Sequence, residues 1–356
     1  MKAIKFLTII LALTAGTAAW GQLKAVDGYT ESLAIATKEV PMWEPSQEAV
    51  DSTCYLLGVN YGVFLERNGF FDRFTEIRLI KLLTGLNDAI ETGNVSNPYA
   101  MDQEWAGKFE YSPYEMNGTL SSYIKNRASG KTISSATMDS VCYHLGVNYG
   151  LMIADNGFFK KTDEMNFMEF LTGIDHALKN GAPESDEEAD LEWAAQFKIS
   201  PYEINEYLNG FLDRQTEYTK ALNSTIEKYF LMINASNDGV METESGLQYI
   251  IHNEGEGDKP TGSSTVTVNY IGYLLDGTVF DEGEDISFML ENIILGWQEG
   301  IGLIGKGGEI TLFIPSVLAY GPYGIKGAIE PNTLLVFKIK LLDFTDESSE
   351  SDVEQE

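Results

Sequence analysis

Apolar residues recur at helical spacing through the first two thirds of the chain and at strand spacing through the last third. Cys54, Leu57, Gly58, Tyr61, Gly62 and Leu65 fall on one helical face, because residues three and four apart stack above one another at 3.6 residues per turn. Leu79, Leu82, Leu83, Leu86 and Ile90 mark a second helix that stops at Gly93. Ser112, Pro113 and Glu115 supply the cap, first position and third position of a third helix. Further on, Thr265, Thr267 and Asn269 alternate with Val266, Val268 and Tyr270, the period of a half-buried strand. Asp276-Gly277 supplies a turn. Leu334 to Leu342 alternates again, with Lys338 and Lys340 on the solvent side. Between these runs, Ile293 to Ile304 shows helical spacing around Trp297 and ends at Gly305. The expected class is α+β, with helices first and then a twisted antiparallel sheet carrying one short helix.

The helical part is duplicated. At a constant offset of 88 residues, about 30 of 67 positions are identical between Asp51–Asn117 and Asp139–Asn205, which points to common origin. CYLLGVNYG at Cys54–Gly62 returns as CYHLGVNYG at Cys142–Gly150, and SPYE recurs at Ser112 and Ser200. In the second copy Phe167, Phe170, Leu171, Ile174 and Leu178 form the second helix, which stops at Gly181, and Ser200 and Glu203 the capping box of the third. That third helix runs on, because Ile204, Leu208, Phe211 and Leu212, then Tyr218, Leu222, Ile226 and Tyr229, keep helical spacing to about Asn234. Roughly 30 residues at about 1.5 Å each make an arm near 45 Å. Glycines four apart on an apolar face let a second backbone approach closely.

Charge and composition narrow the function. A formal net charge of −30 opposes nucleic acid and anionic membrane surfaces, and 44% hydrophobic content supports real cores. The acidic stretch from Asp343 to Glu356 reads as a solvated tail. No acidic run has the ligand spacing of an EF-hand, so no metal is expected. His144, His176 and His252 share no ligand spacing with the two cysteines and form no hydrolase constellation. Gly302–Gly308 reads GxxGxGG but follows a helix and not a Rossmann-type strand, which argues against a phosphate cradle. No cofactor is expected. At the start, Lys2 and Lys5 precede an apolar run from Phe6 to Leu13 and then small residues, the layout of an export signal cleaved after Gly21. The run is too short to span a bilayer. The mature chain is therefore expected in a periplasm or outside the cell, with no integral membrane segment.

The last hundred residues carry SGLQYIIHNEGEG, VTVNYIGYLLDGTVFD, IILGWQEGIGLIGKGG, IPSVLAYGPYG and LLVFKIKLLDF in order. This series resembles the FKBP family of peptidyl-prolyl isomerases. The resemblance implies an FKBP fold and a pocket lined by Tyr270, Phe280, Ile286, Ile293, Ile294, Trp297, Tyr320, Ile329 and Phe337, with Trp297 as its floor and Asp281 its one charge. It implies that the Ile294 backbone N–H and the Tyr320 hydroxyl bond substrate carbonyls on either side of the proline, while Asp281 organises the rim. Substrates would be proline-containing unfolded or partly folded polypeptides, and macrolides the inhibitor class. Three departures bear on substrate preference and drug affinity: a short stretch from Asp281 to Phe288 that carries Glu282, Glu284 and Asp285, Ile286 where an aromatic is common, and Glu330 in place of the first proline of a Pro-Pro pair. The alternative function is a holdase-type binding chaperone with little or no isomerase activity, which the size of the helical part keeps in view.

A YxLGxxxG helix, an FLxG helix and a long connecting helix also resemble the N-terminal dimerisation module of Mip-like and FkpA-like FKBPs. One chain here carries two copies. The expectation is a pseudo-dimer folded within one chain and a monomeric protein, with a homodimer built on both repeats as the alternative. Cys54 and Cys142 hold equivalent places, and either a disulfide or two buried thiols fits them. The expected organisation is 1–21 signal, 22–46 linker, 47–128 and 134–210 helical repeats, 211–236 connecting helix, 240–344 isomerase-type domain and 345–356 acidic tail.

Overall fold

The structure, a computed structural model, describes residues 25–92, 107, 109, 111–181 and 201–346. The export signal, the Ser200 cap and the tail beyond Asp346 lie outside the described residues. Two compact units account for the rest. One comprises Thr37–Thr225 with Tyr320–Asn332; the other contains residues up to Ala36, Ile226–Ala319 and the chain from Thr333.

The helical unit follows the repeat. Helices α2 (Gln47–Arg67), α3 (Leu79–Thr92) and α4 (Pro113–Ala128) come from the first copy, and α5 (Ser135–Asn156), α6 (Phe167–Asn180) and α7 (Pro201–Asn234) from the second. Ser46, Ser134 and Asn166 cap α2, α5 and α6 by accepting from first-turn N–H groups. Ser112 and Glu115 complete the reciprocal box at α4, with Ser112 N–H donating to Glu115 Oε2 at 2.9 Å.

The two copies exchange partners. Helix α2 packs on α6, and α5 on α3, so each repeat's first helix is completed by the other's second. The glycines make this contact. A Cβ added at Gly58 would lie 2.0 Å from the Phe170 carbonyl oxygen, and at Gly146 2.1 Å from that of Leu82. Gly85 and Gly173 make the reciprocal approaches to Tyr143 and Tyr55. At the centre Tyr61 and Tyr149 stack with ring centroids 3.9 Å apart. Tyr61 donates to the Leu145 carbonyl at 2.8 Å, and Tyr149 to that of Leu57 at 2.6 Å. Burial pushes both phenols well above their ordinary range.

The cysteines obey the same pseudo-twofold relation, and both are free buried thiols. Cys54 Sγ accepts the Asn166 N–H at 3.2 Å, and Cys142 Sγ accepts that of Arg78 at 3.3 Å. Burial raises each thiol to about 11. The third helices pack on their own repeats, Tyr123 against Phe70 and Phe71, and Phe211 against Phe158 and Phe159. Their lengths differ for a local reason. Helix α4 ends at Ser129 and Gly130, the latter at φ 71°, whereas Glu217 and Tyr218 stand at those places in α7 and let the helix continue.

In the other unit six antiparallel strands form one sheet in the order β1-β2-β5-β6-β3-β4. The strands are β1 (Met241–Glu242), β2 (Gln248–Asn253), β3 (Ser264–Tyr273), β4 (Val279–Met289), β5 (Glu309–Ile314) and β6 (Leu335–Asp346). Helix α8 (Leu295–Ile301) crosses β5, with Gly296 against Ile314 and Gly300 against Leu312. It is shorter than its apolar spacing predicts. Leu303 and Ile304 N–H groups turn to carbonyls three residues back, and Gly305 N–H donates to Glu254 O, which ends the helix before Gly305.

Two further pieces belong here. Residues 22–46, expected as a linker, contain α1 (Tyr29–Glu39). Val26 N–H donates to Leu275 O at 2.9 Å, and Gly28, at φ 92°, sits against Ile233 and Phe230. The end of α7 also packs on the sheet, with Phe230 against Phe313 and Asn234 Nδ2 donating to Gln248 Oε1 at 3.0 Å. Ile226, one of the expected positions, is buried there, and next to the expected Tyr229 it is Phe230 that is buried.

Candidate functional site

Strand pairing brings the aromatic residues together. Tyr270 on β3 stands opposite Gly283 on β4, and Gly272 opposite Asp281, so these four share one face of the sheet. On the other side β3 pairs with β6, setting Gly272 opposite Phe337. The two glycines make room for rings: a Cβ on Gly272 would lie 2.6 Å from the Phe337 ring and 2.8 Å from Phe280, and one on Gly283 2.7 Å from Tyr270. A bulge between Val268 and Tyr270 separates the upper and lower parts of the β3–β4 ladder. At that bulge Asp285, at φ 57°, donates its N–H to Asn269 Oδ1 at 2.8 Å.

Trp297 on α8 is the hub. Its ring centroid is 5.0 Å from Tyr270, 5.1 Å from Phe337 and 5.6 Å from Phe288, at interplanar angles of 79°, 88° and 86°. Phe280 meets Phe337 at 5.5 Å and 85°. These are edge-to-face contacts, the arrangement that the ring quadrupole favours. The indole is buried, and its Nε1 has no hydrogen-bond partner among the described residues. The Tyr270 hydroxyl donates to Asp281 Oδ2 at 3.0 Å, which holds the exposed carboxylate beside the ring set. Ile286 is exposed, whereas Ile293 and Ile294 are half-buried. Ile294 is the N-cap of α8, and N–H groups at a helix start have no acceptor within the helix.

Tyr270, Phe280, Asp281, Trp297 and Phe337 are thus brought together. Phe288, absent from the expected set, is a full member, and it was legible two positions beyond Ile286 in a strand of period two. Tyr320 and Ile329 lie on Tyr320–Asn332, which groups with the helical unit. Within that segment Ile325 and Ile329 exchange backbone bonds at 2.7 and 2.8 Å, and Ile329 is buried. Gly324, at φ 62°, lets the turn close, since a Cβ would lie 2.1 Å from Ile329 O. In the same unit Glu330 pairs with Lys160, and Asn223 Nδ2 donates to Pro331 O at 2.9 Å.

Among the described residues the arrangement offers aromatic walls, the Asp281 carboxylate beside them and no nucleophile paired with a base. Such a surface can bind an apolar ring and favour one conformation of it over another without covalent chemistry.

Comparison with known proteins bears on the same residues. Residues 256–342 match the model of FKBP-type peptidyl-prolyl cis-trans isomerases, and residues 138–251 that of the domain amino terminal to FKBP-type peptidyl-prolyl isomerase. The second match starts in the second repeat. A probable FKBP-type isomerase FkpA of Neisseria meningitidis is 43% identical over 41% of this chain, which spans 58% of that relative's length. The outer membrane protein MIP of Legionella longbeachae is 38% identical over 42% of this chain and 68% of its own. FkpA of Buchnera aphidicola is 34% identical over 58% of this chain and 81% of its own length. By these matches the chain belongs to the FKBP-type peptidyl-prolyl cis-trans isomerase family.

Proposed function

We propose that this chain is an exported peptidyl-prolyl cis-trans isomerase acting on proline-containing unfolded or partly folded polypeptides. The observation that carries the reading is the ring set around Trp297, with three partners at nearly right angles and the Tyr270–Asp281 pair beside it. Rotation about a peptide bond faces a barrier of about 18–20 kcal/mol because amide conjugation is lost midway. The cis and trans ends of X-Pro lie within about 1 kcal/mol. An enzyme for this reaction has to prefer the twisted amide, and an apolar, water-poor cup does so by withholding the solvation that favours the planar, polarised amide. In this reading Trp297 forms the floor, and Tyr270, Phe280, Phe337, Ile286, Ile293 and Ile329 the walls. The Ile294 N–H and the Tyr320 hydroxyl bond the carbonyls flanking the proline, and Asp281 fixes the Tyr270 hydroxyl at the rim.

Export is supported by the basic and apolar pattern from Lys2 to Leu13 and by likeness to a relative named as an outer membrane protein. Among the described residues no helix is long and apolar enough to cross a membrane. The test is a protease-coupled assay of X-Pro isomerisation on the full chain, with Tyr270→Ala and Trp297→Ala beside the wild type. We expect kcat/KM to fall at least about tenfold in each, equivalent to roughly 1.4 kcal/mol of transition-state binding. An inactive wild type overturns the isomerase reading and leaves the binding-chaperone reading in its place.

A further inference from the structure

One half-buried carboxylate stands outside the ring set. Glu227, on α7, accepts the Ser316 backbone N–H on Oε2 at 2.7 Å. Both residues belong to the sheet-containing unit. Ser316 is 4% exposed and opens the turn Ser316–Leu318 that follows β5. Within the turn Leu318 N–H donates to Pro315 O at 2.9 Å and Ala319 N–H to Ser316 O at 3.0 Å. Because the N-cap Pro315 makes no side-chain capping bond, the acceptor for the Ser316 N–H comes from Glu227 on the helix. The helix is itself fixed at this level by Phe230 against Phe313 on the strand that enters the turn, and by Asn234 on Gln248. Burial pushes the Glu227 carboxyl up, and the bonds from Ser316 oppose that shift. A charged acceptor on a backbone N–H is among the stronger hydrogen bonds available. Ala319 then takes an unusual backbone conformation (φ −127°, ψ −114°), and the next residue is Tyr320.

We propose that Glu227 is a positioning residue for the isomerase site, holding the base of the loop that presents the Tyr320 hydroxyl to the substrate carbonyl. The inference rests on the isomerase reading and deepens it, because it makes the end of the connecting helix part of the apparatus that sets Tyr320. Neither the apolar spacing of α7 nor the family motifs single this carboxylate out.

The test is a double-mutant cycle on the full chain, reading kcat/KM for X-Pro isomerisation of a proline tetrapeptide. Glu227→Ala should lower kcat/KM about fivefold to tenfold, as small misplacements of a catalytic group do. Glu227→Gln, which keeps an acceptor, should stay within about twofold of wild type. In a Tyr320→Phe background Glu227→Ala should cause little further loss, because residues acting as one unit are not additive. An active wild type with an unchanged Glu227→Ala, or with equal losses in both backgrounds, overturns the Glu227 role alone. An inactive wild type overturns the isomerase reading beneath it.

Discussion

His144 and Leu56 hold equivalent places in the two repeats, and both are buried. Leu56 suits its site. His144 has neither ring nitrogen hydrogen-bonded among the described residues and meets Tyr111 edge-on at 4.7 Å. A buried polar group without a partner costs about 1–3 kcal/mol, so His144→Leu, copying the first repeat, should raise stability by about 1–2 kcal/mol at neutral pH. Burial lowers the His144 pKa from its ordinary 6.5. Above that value the ring is neutral in both folded and unfolded chains. As pH falls below it the unfolded chain takes the proton first, and stability is lost until the folded value is passed. Melting curves at pH 8 and pH 5 should therefore show a smaller acid loss for His144→Leu than for wild type; equal losses would remove His144 as their source.

The glycine faces are the feature of the helices that a change of one methyl would break. A Cβ at Gly58 or Gly146 lands on a carbonyl of the partner helix, and backbone cannot swing aside as a side chain can. Gly58→Ala or Gly146→Ala should cost at least about 1–3 kcal/mol, the usual penalty for overpacking. Gly118 in α4 provides the control, because nothing lies within 4 Å of an added Cβ there. Gly118→Ala should stabilise by about 0.5–1 kcal/mol through helix propensity. Chemical denaturation of the three variants checks both signs. The helical spacing identified Gly58, Gly62, Gly146 and Gly150 as close-approach positions. It did not identify Gly85 and Gly173, which sit on helices whose leucines and phenylalanines dominate the pattern.

At the scale of the molecule, the exchange of α2 onto α6 and α5 onto α3 completes each repeat's first helix within one chain. We propose on this basis that the protein is a monomer. Gel filtration with light scattering should return one chain's mass at micromolar concentration; twice that mass would mean that the repeats also pair between chains. The thiols fit the same picture. Each accepts an N–H from the start of the opposite repeat's second helix.

The sequence by itself determined the helices of the two repeats, the short helix at Trp297, strands β3 and β6 and the duplication, because each leaves a local periodic mark: 3.6 for helices, 2 for strands, 88 for the repeat. The resemblance of the ordered motifs to the FKBP family nominated Tyr270, Phe280, Asp281, Trp297 and Phe337. What only the tertiary structure decided are pairings between distant segments: which helix completes which repeat, that Phe288 joins Trp297, that α1 and the end of α7 pack on the sheet, and that Glu227 meets Ser316. The physical reason is that periodicity reports which face of an element is apolar. It carries no record of the partner that covers that face, which close packing and hydrogen-bond satisfaction settle only when the whole chain has folded.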